Sequence, residues 1–139
     1  MKIKEPKYKY KQVMIIDDNE LDNFINSKII ESSLFSKKIY VNTNGKSALE
    51  FLENLIKTMD DEFSKICPEV IFIDLNMPIL DGFQLLEGIN KLSNKFLNQS
   101  KLVVLTSSAH PDDNKKTKSI NSNVIYLNKP LTADLLKSI

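Results

Sequence analysis

A chain of 139 residues with a formal net charge of +1 is long enough for one real hydrophobic core and too short for two, so a single domain is expected. The near-neutral charge gives no pull toward nucleic acid or membrane. All 19 basic residues are lysines, so there is no bidentate reader of guanine or phosphate, and direct DNA binding is not expected. No apolar run approaches the ~20 residues of a membrane span, and the lone Cys67 leaves no disulfide framework or thiolate metal cluster, which points to a cytoplasmic location.

In chain order, residues 1–11 are basic and lack the apolar segment of a secretory signal, and they are expected to form a disordered lead-in to a domain over residues 12–139. Val13-Met14-Ile15-Ile16 is a strand that runs into Asp17-Asp18. Leu21, Phe24, Ile25 and Ile29 then fall at helical spacing on one face, with Asn19, Glu20 and Asp22 near the amino end where the helix dipole favours them. Lys38-Ile39-Tyr40-Val41 is a short second strand, and Asn42-Thr43-Asn44-Gly45 leads into a second helix through Ala48, Leu49, Leu52, Leu55 and Ile56. Asp60-Asp61-Glu62 and Cys67-Pro68 connect it to the third strand.

That strand, Val70-Ile71-Phe72-Ile73, reads as buried on both faces, yet it ends in Asp74, and Pro78 and Asp81-Gly82 turn the chain immediately beyond. A third helix is expected from Phe83 through Leu85, Leu86, Ile89 and Leu92 to Phe96. The fourth strand, Leu102 to Leu105, runs into Thr106-Ser107-Ser108. The helix after His110-Pro111 has no apolar stripe beyond Ile120 and is expected to be short, marginal or mobile. Val124-Ile125-Tyr126-Leu127 runs into Asn128-Lys129-Pro130, and Thr132 caps a last helix with Leu135, Leu136 and Ile139.

Five strands alternating with five helices predict an α/β fold, a doubly wound five-stranded parallel sheet with helices on both faces. Right-handed crossovers leave few topologies, the flavodoxin-like order 2-1-3-4-5 among them. In such a sheet the ligand crevice lies outside the carboxyl ends of the strands, where Asp17, Asp18, Asp74, Thr106 and Lys129 would converge. Three ionised carboxylates at ~4 Å cost about 4 kcal/mol per contact at an effective dielectric near 20, so a cation must join them. All-oxygen ligands suit Mg²⁺ better than zinc. Carboxylate, Mg²⁺, ammonium and hydroxyl at one point suit phosphoryl transfer, with Asp74 as the nucleophile of an acyl phosphate.

Taken together, Ile15-Ile16-Asp17-Asp18, Phe72-Ile73-Asp74-Leu75-Asn76-Met77-Pro78 with Asp81-Gly82, Val104-Leu105-Thr106-Ser107 and Tyr126-Leu127-Asn128-Lys129-Pro130 resemble the CheY-like receiver domain of two-component response regulators. The resemblance covers residues 12–139. It implies that Asp74 accepts a phosphoryl group from a sensor histidine kinase or histidine phosphotransfer protein, and that Asp18 ligates Mg²⁺ directly and Asp17 through water. Asn76 would lend its backbone carbonyl to the metal, Lys129 would pair with the phosphoryl group, and the Lys129-Pro130 bond would be cis. Thr106 would be the switch hydroxyl and Tyr126 the switch aromatic, reshaping the face made by the fourth helix, fifth strand and fifth helix toward an unknown downstream protein. A homodimer on phosphorylation is also compatible with the family. Such a domain is no enzyme beyond its own phosphorylation and dephosphorylation.

Other readings stand beside this one. Asp17-Asp18 alone could simply cap a helix, Lys129 alone could be a surface lysine, His110 a loop residue and Cys67 a packed or loop thiol. Asn121-Ser122-Asn123 stands where the family often has a glycine turn, and asparagine tolerates the left-handed conformation. A Mg²⁺-dependent phosphohydrolase with an aspartyl-phosphate intermediate would usually place a second Asp at position 76, which here is Asn76. A non-phosphorylated pseudo-receiver module would keep the fold without the chemistry. A flavin or dinucleotide binder would need a glycine-rich loop where Asp17-Asp18-Asn19-Glu20 stands.

Overall fold

The computed structural model describes residues 6–58 and 66–139. Among them the elements are β1 (Tyr10–Ile16), α1 (Glu20–Ser32), β2 (Ser36–Asn42), α2 (Gly45–Lys57), β3 (Val70–Ile73), α3 (Gly82–Asn90), α4 (Asn94–Gln99), β4 (Lys101–Thr106), α5 (Pro111–Ile120), β5 (Ile125–Asn128) and α6 (Ala133–Lys137). All strand pairs are parallel, in the order β2-β1-β3-β4-β5, as expected. Of the basic lead-in, residues 1–5 lie outside the described residues, while Tyr10 and Lys11 already belong to β1. The acidic connection at residues 60–62 lies outside them too.

The central strands are apolar without alternation because both their faces are covered. Successive side chains leave a strand on opposite sides. Met14, Ile16, Ile71, Ile73, Leu102 and Val104 therefore pack under α2, α3 and α4 with Leu52, Leu85, Ile89 and Phe96. Val13, Ile15, Val70, Phe72, Val103 and Leu105 pack on the other face with Ile30, Phe35, Leu131 and Leu136.

Four expectations need correction. The third helix is not continuous: the amides of Lys91 and Leu92 turn back to Gly88 and Ile89, and the Ser93 hydroxyl caps a separate α4 by accepting from Phe96 N–H. The helix after His110 is not short: it runs for ten residues. Pro111 stands at its start, the His110 ring caps it by accepting from Asp112 N–H, and Thr117 takes the fully buried position, its hydroxyl donating to Asp113 O. His110 is thus a cap rather than an unengaged loop residue. At residues 121–123 the turn is closed by the Asn121 side chain, which accepts from Asn123 N–H, without any left-handed residue there.

The fourth correction concerns α1. Leu21, Phe24 and Ile25 do not face the core; they are 67%, 62% and 42% exposed. The buried residues are Asn23, Asn26 and Ile30. The Asn23 amide donates to the Asp17 carbonyl at 2.8 Å, and this bond, with Ile30 entering the core, fixes the roll of the helix so that Leu21, Phe24 and Ile25 point outward. Periodicity identified the helix but not the direction in which it faces.

Candidate functional site

The strand ends are drawn together by a ladder that continues one residue past each strand. Asp17 N–H donates to Asn42 O, Asp74 N–H to Ile16 O at 3.0 Å, and Lys129 N–H to Thr106 O at 2.8 Å. The residues that follow β1, β3 and β5 and the last residue of β4, Thr106, therefore share one edge of the sheet. The Lys129-Pro130 bond is cis, as expected.

Asp17, Asp18 and Asp74 each bring one carboxylate oxygen to within 4.8 Å of the others. Asp17 and Asp74 are buried, while Asp18 is exposed. The Lys129 ammonium lies 2.7 Å from Asp17 Oδ2, 2.8 Å from Asp22 Oδ2 and 3.7 Å from Asp74 Oδ1. Asp22 is the residue that sequence reasoning missed. Its place in the first turn suits the helix dipole, but its pairing partner is 107 residues away in the chain, which no local pattern reveals.

Asp74 holds a tension. Burial and then the neighbouring Asp17 raise its carboxyl, and with Lys129 and a hydrogen bond from the Asn76 backbone only partly opposing them it is pushed up to about 6. Its Oδ1 is buried without any hydrogen-bond partner. Burial alone would lower the Lys129 ammonium, but the hydrogen bonds to Asp17 and Asp22 and the charges of Asp74 and Asp17 raise it overall, so it is a permanent cation here.

Four carboxylates around one ammonium leave the pocket short of positive charge. The donor set is all oxygen, three of its members lie at mutual distances that one small ion spans, and one buried oxygen is orphaned. These residues fit a hard divalent cation such as Mg²⁺.

The remaining candidates have the following surroundings. The Asn76 side chain is exposed, and its backbone N–H reaches the Asp74 carboxylate. Thr106 is fully buried, and its hydroxyl accepts from Ser108 N–H at 3.1 Å. Tyr126 is half-buried against the α2–α3 side of the core, where burial and then Asp113 push its phenol up. Cys67 is buried near Ser100. Its thiol is pushed up by burial against the lowering effect of Ser100, as suits an inert packed thiol.

Two details of the β3–α3 loop shape the rim. Gly82 lies so close beneath the acceptor loop that an added Cβ would stand 2.4 Å from Asp74 O and 2.6 Å from Leu75 Cα. Ile79 is held at φ 69° and is 86% exposed, a left-handed conformation that disfavours β-branched residues. A cavity of about 600 Å³, walled by Asn90, Asn94, Asn98, Tyr10 and Lys101 among others, opens near the amino ends of β3–β5, away from this chemistry.

Comparison with known proteins agrees with this geometry. The family model described as "Response regulator receiver domain" matches residues 13–139. A crystal structure of a two component response regulator from Cytophaga hutchinsonii is 30% identical, with 96% of this chain and 94% of that one covered and a TM-score of 0.80. The probable methanogenesis regulatory protein FilR2 of Methanothrix harundinacea is 28% identical over 90% of this chain and 76% of that protein. The receiver domain of the histidine kinase CKI1 from Arabidopsis thaliana, complexed with Mg²⁺, shares the fold at 18% identity, with 92% and 90% covered and a TM-score of 0.74. The chain belongs to the response regulator receiver domain family and is a receiver domain of two-component signalling.

Proposed function

We propose that Asp74 is the phospho-acceptor of this receiver, and that the observation carrying the reading is its buried, unpartnered Oδ1 beside the Lys129 ammonium. A carboxylate oxygen free of hydrogen bonds keeps a lone pair for in-line attack on phosphorus. The phosphorus–nitrogen bond to the donor's histidine breaks as the phosphorus–oxygen bond to Asp74 forms, and the leaving imidazole keeps the electron pair. Lys129 neutralises charge on the phosphoryl oxygens.

Mg²⁺, when bound, would screen charge between the acceptor and the incoming phosphoryl group. Asp17, Asp18, Asp74 and the Asn76 carbonyl are the groups that would hold it. The Thr106 hydroxyl, exchanging its Ser108 contact for a phosphoryl oxygen, and Tyr126, turning inward from its half-buried position, carry the change to the face formed by α5, β5 and α6, where a downstream protein reads it.

Receiver domains interact with histidine kinases or phosphotransfer proteins. A donor that brings a phosphohistidine to Asp74 must cover the rim of the pocket, and the outward Leu21, Phe24 and Ile25 of α1 together with Ile79 supply apolar surface for it. Among the described residues no helix is long and apolar enough to cross a membrane, and we assign the domain to the cytoplasm, where such donors act.

Beryllofluoride, a phosphoryl mimic, tests this reading. Titrated with Mg²⁺ and followed by ¹⁹F NMR, the wild type is expected to give a bound fluoride spectrum and Asp74→Asn none. Equal binding by both would refute the assignment.

A further inference from the structure

Asp22 stands outside the acid set just assigned, yet its carboxylate is 2.8 Å from the Lys129 ammonium, as close within 0.1 Å as that of Asp17 and nearer than that of Asp74. It occupies the third position of α1, where an acid commonly folds back onto the N-cap backbone N–H. Here that N–H, on Asn19, is already taken by Asp17 Oδ1 at 2.9 Å, while Asn19's own side chain caps Asp22 N–H at 3.0 Å. Capping is complete without the Asp22 carboxylate, which is free for Lys129.

We infer that Asp22 is a positioning residue that restrains the Lys129 ammonium on the α1 side of the pocket and so opposes capture of the phosphoryl group. The inference rests on Asp74 being the acceptor. An ammonium has three N–H donors; Asp17 and Asp22 use two at full hydrogen-bond distance, and Asp74 Oδ1 is left at 3.7 Å. A phosphoryl group on Asp74 has to draw the amine toward itself against the pull of Asp22, and it meets that carboxylate's negative charge as well. Asp22 would therefore set how tightly the pocket holds a phosphoryl group, and for how long.

The test compares Mg²⁺-dependent beryllofluoride affinity, together with the lifetime of the phosphorylated form after removal of a small phosphodonor, in the wild type, Asp22→Asn, Asp22→Glu and Glu20→Gln. The pair is partly exposed, so Asp22→Asn is expected to raise affinity and lengthen the lifetime by roughly two- to fivefold, the range such ion pairs support. Asp22→Glu, which keeps the charge, should stay near wild type. Glu20→Gln removes a charge from the same turn without touching Lys129 and should change neither quantity. A purely structural role for Asp22 would shift the melting temperature and leave affinity unmoved. Unchanged or weakened binding in Asp22→Asn, or an equal gain in Glu20→Gln, would overturn the inference while the acceptor assignment stands; a wild type that binds no beryllofluoride would instead overturn the acceptor assignment.

Discussion

At the residue scale, the carboxyl of Asp74 titrates near 6 in the fold against an ordinary 3.8, because burial and Asp17 disfavour its charge. The folded state thus holds this proton more tightly than the unfolded chain does. The stabilisation it contributes is complete below about pH 4 and is lost as pH rises through about 6. With metal absent, the stability difference between wild type and Asp74→Asn should accordingly turn against the wild type by about 1–3 kcal/mol from pH 4 to pH 8, measured by urea denaturation at each pH; a pH-independent difference would contradict it. Mg²⁺ competes with the same proton, so its affinity should fall steeply below about pH 6, which calorimetric titration at pH 5 and pH 7 would show. Ile79 gives a second residue-level case. Its left-handed backbone costs roughly 1–2 kcal/mol, and its exposed side chain returns little. Ile79→Gly should stabilise the domain by about 0.5–1 kcal/mol after the entropy cost of glycine, while slowing transfer from a protein phosphodonor and sparing transfer from a small one.

At the element scale, α1 and the β3–α3 turn carry the consequences. Phe24 faces solvent, so Phe24→Ala should change stability by less than about 0.5 kcal/mol yet weaken binding of the phosphodonor protein. Ile30→Ala, which empties a fully buried position on the same helix, should cost about 2–5 kcal/mol. Thermal melts beside pull-down with a cognate donor separate the two. Gly82→Ala would drive a methyl group into the backbone that carries Asp74. A loss of about 1–3 kcal/mol and a drop in beryllofluoride affinity are expected together, and a variant that binds normally would show that the loop can yield. The β strands were legible because an apolar run with a polar stop is both their packing requirement and their signature. The roll of α1 was not, because it is set by Asn23 bonding a carbonyl outside the helix. Nor was the break before α4 visible, since it depends on Ser93 serving as a cap within a run that keeps its apolar spacing.

At the scale of the whole molecule, a sheet with parallel strands puts every strand's carboxyl end on one edge, and this is why acids and an amine separated by more than a hundred residues meet. That convergence could be read from the order of strands alone, and Asp17, Asp18, Asp74 and Lys129 do come together. Asp22 could not be found that way, because a helix, and not a strand end, delivers it. The excess of carboxylates over cations in the pocket means that the fold works against its own electrostatics until a cation arrives.

The most direct measurement is chemical trapping of the acceptor. The protein, incubated with Mg²⁺ and a small acyl phosphodonor, is reduced with borohydride, which converts an aspartyl phosphate to homoserine, and then digested and sequenced by mass spectrometry. Homoserine at position 74, absent without the donor and absent from Asp74→Asn, is the expected result; homoserine at another aspartate, or none in a protein that is otherwise folded, would contradict it.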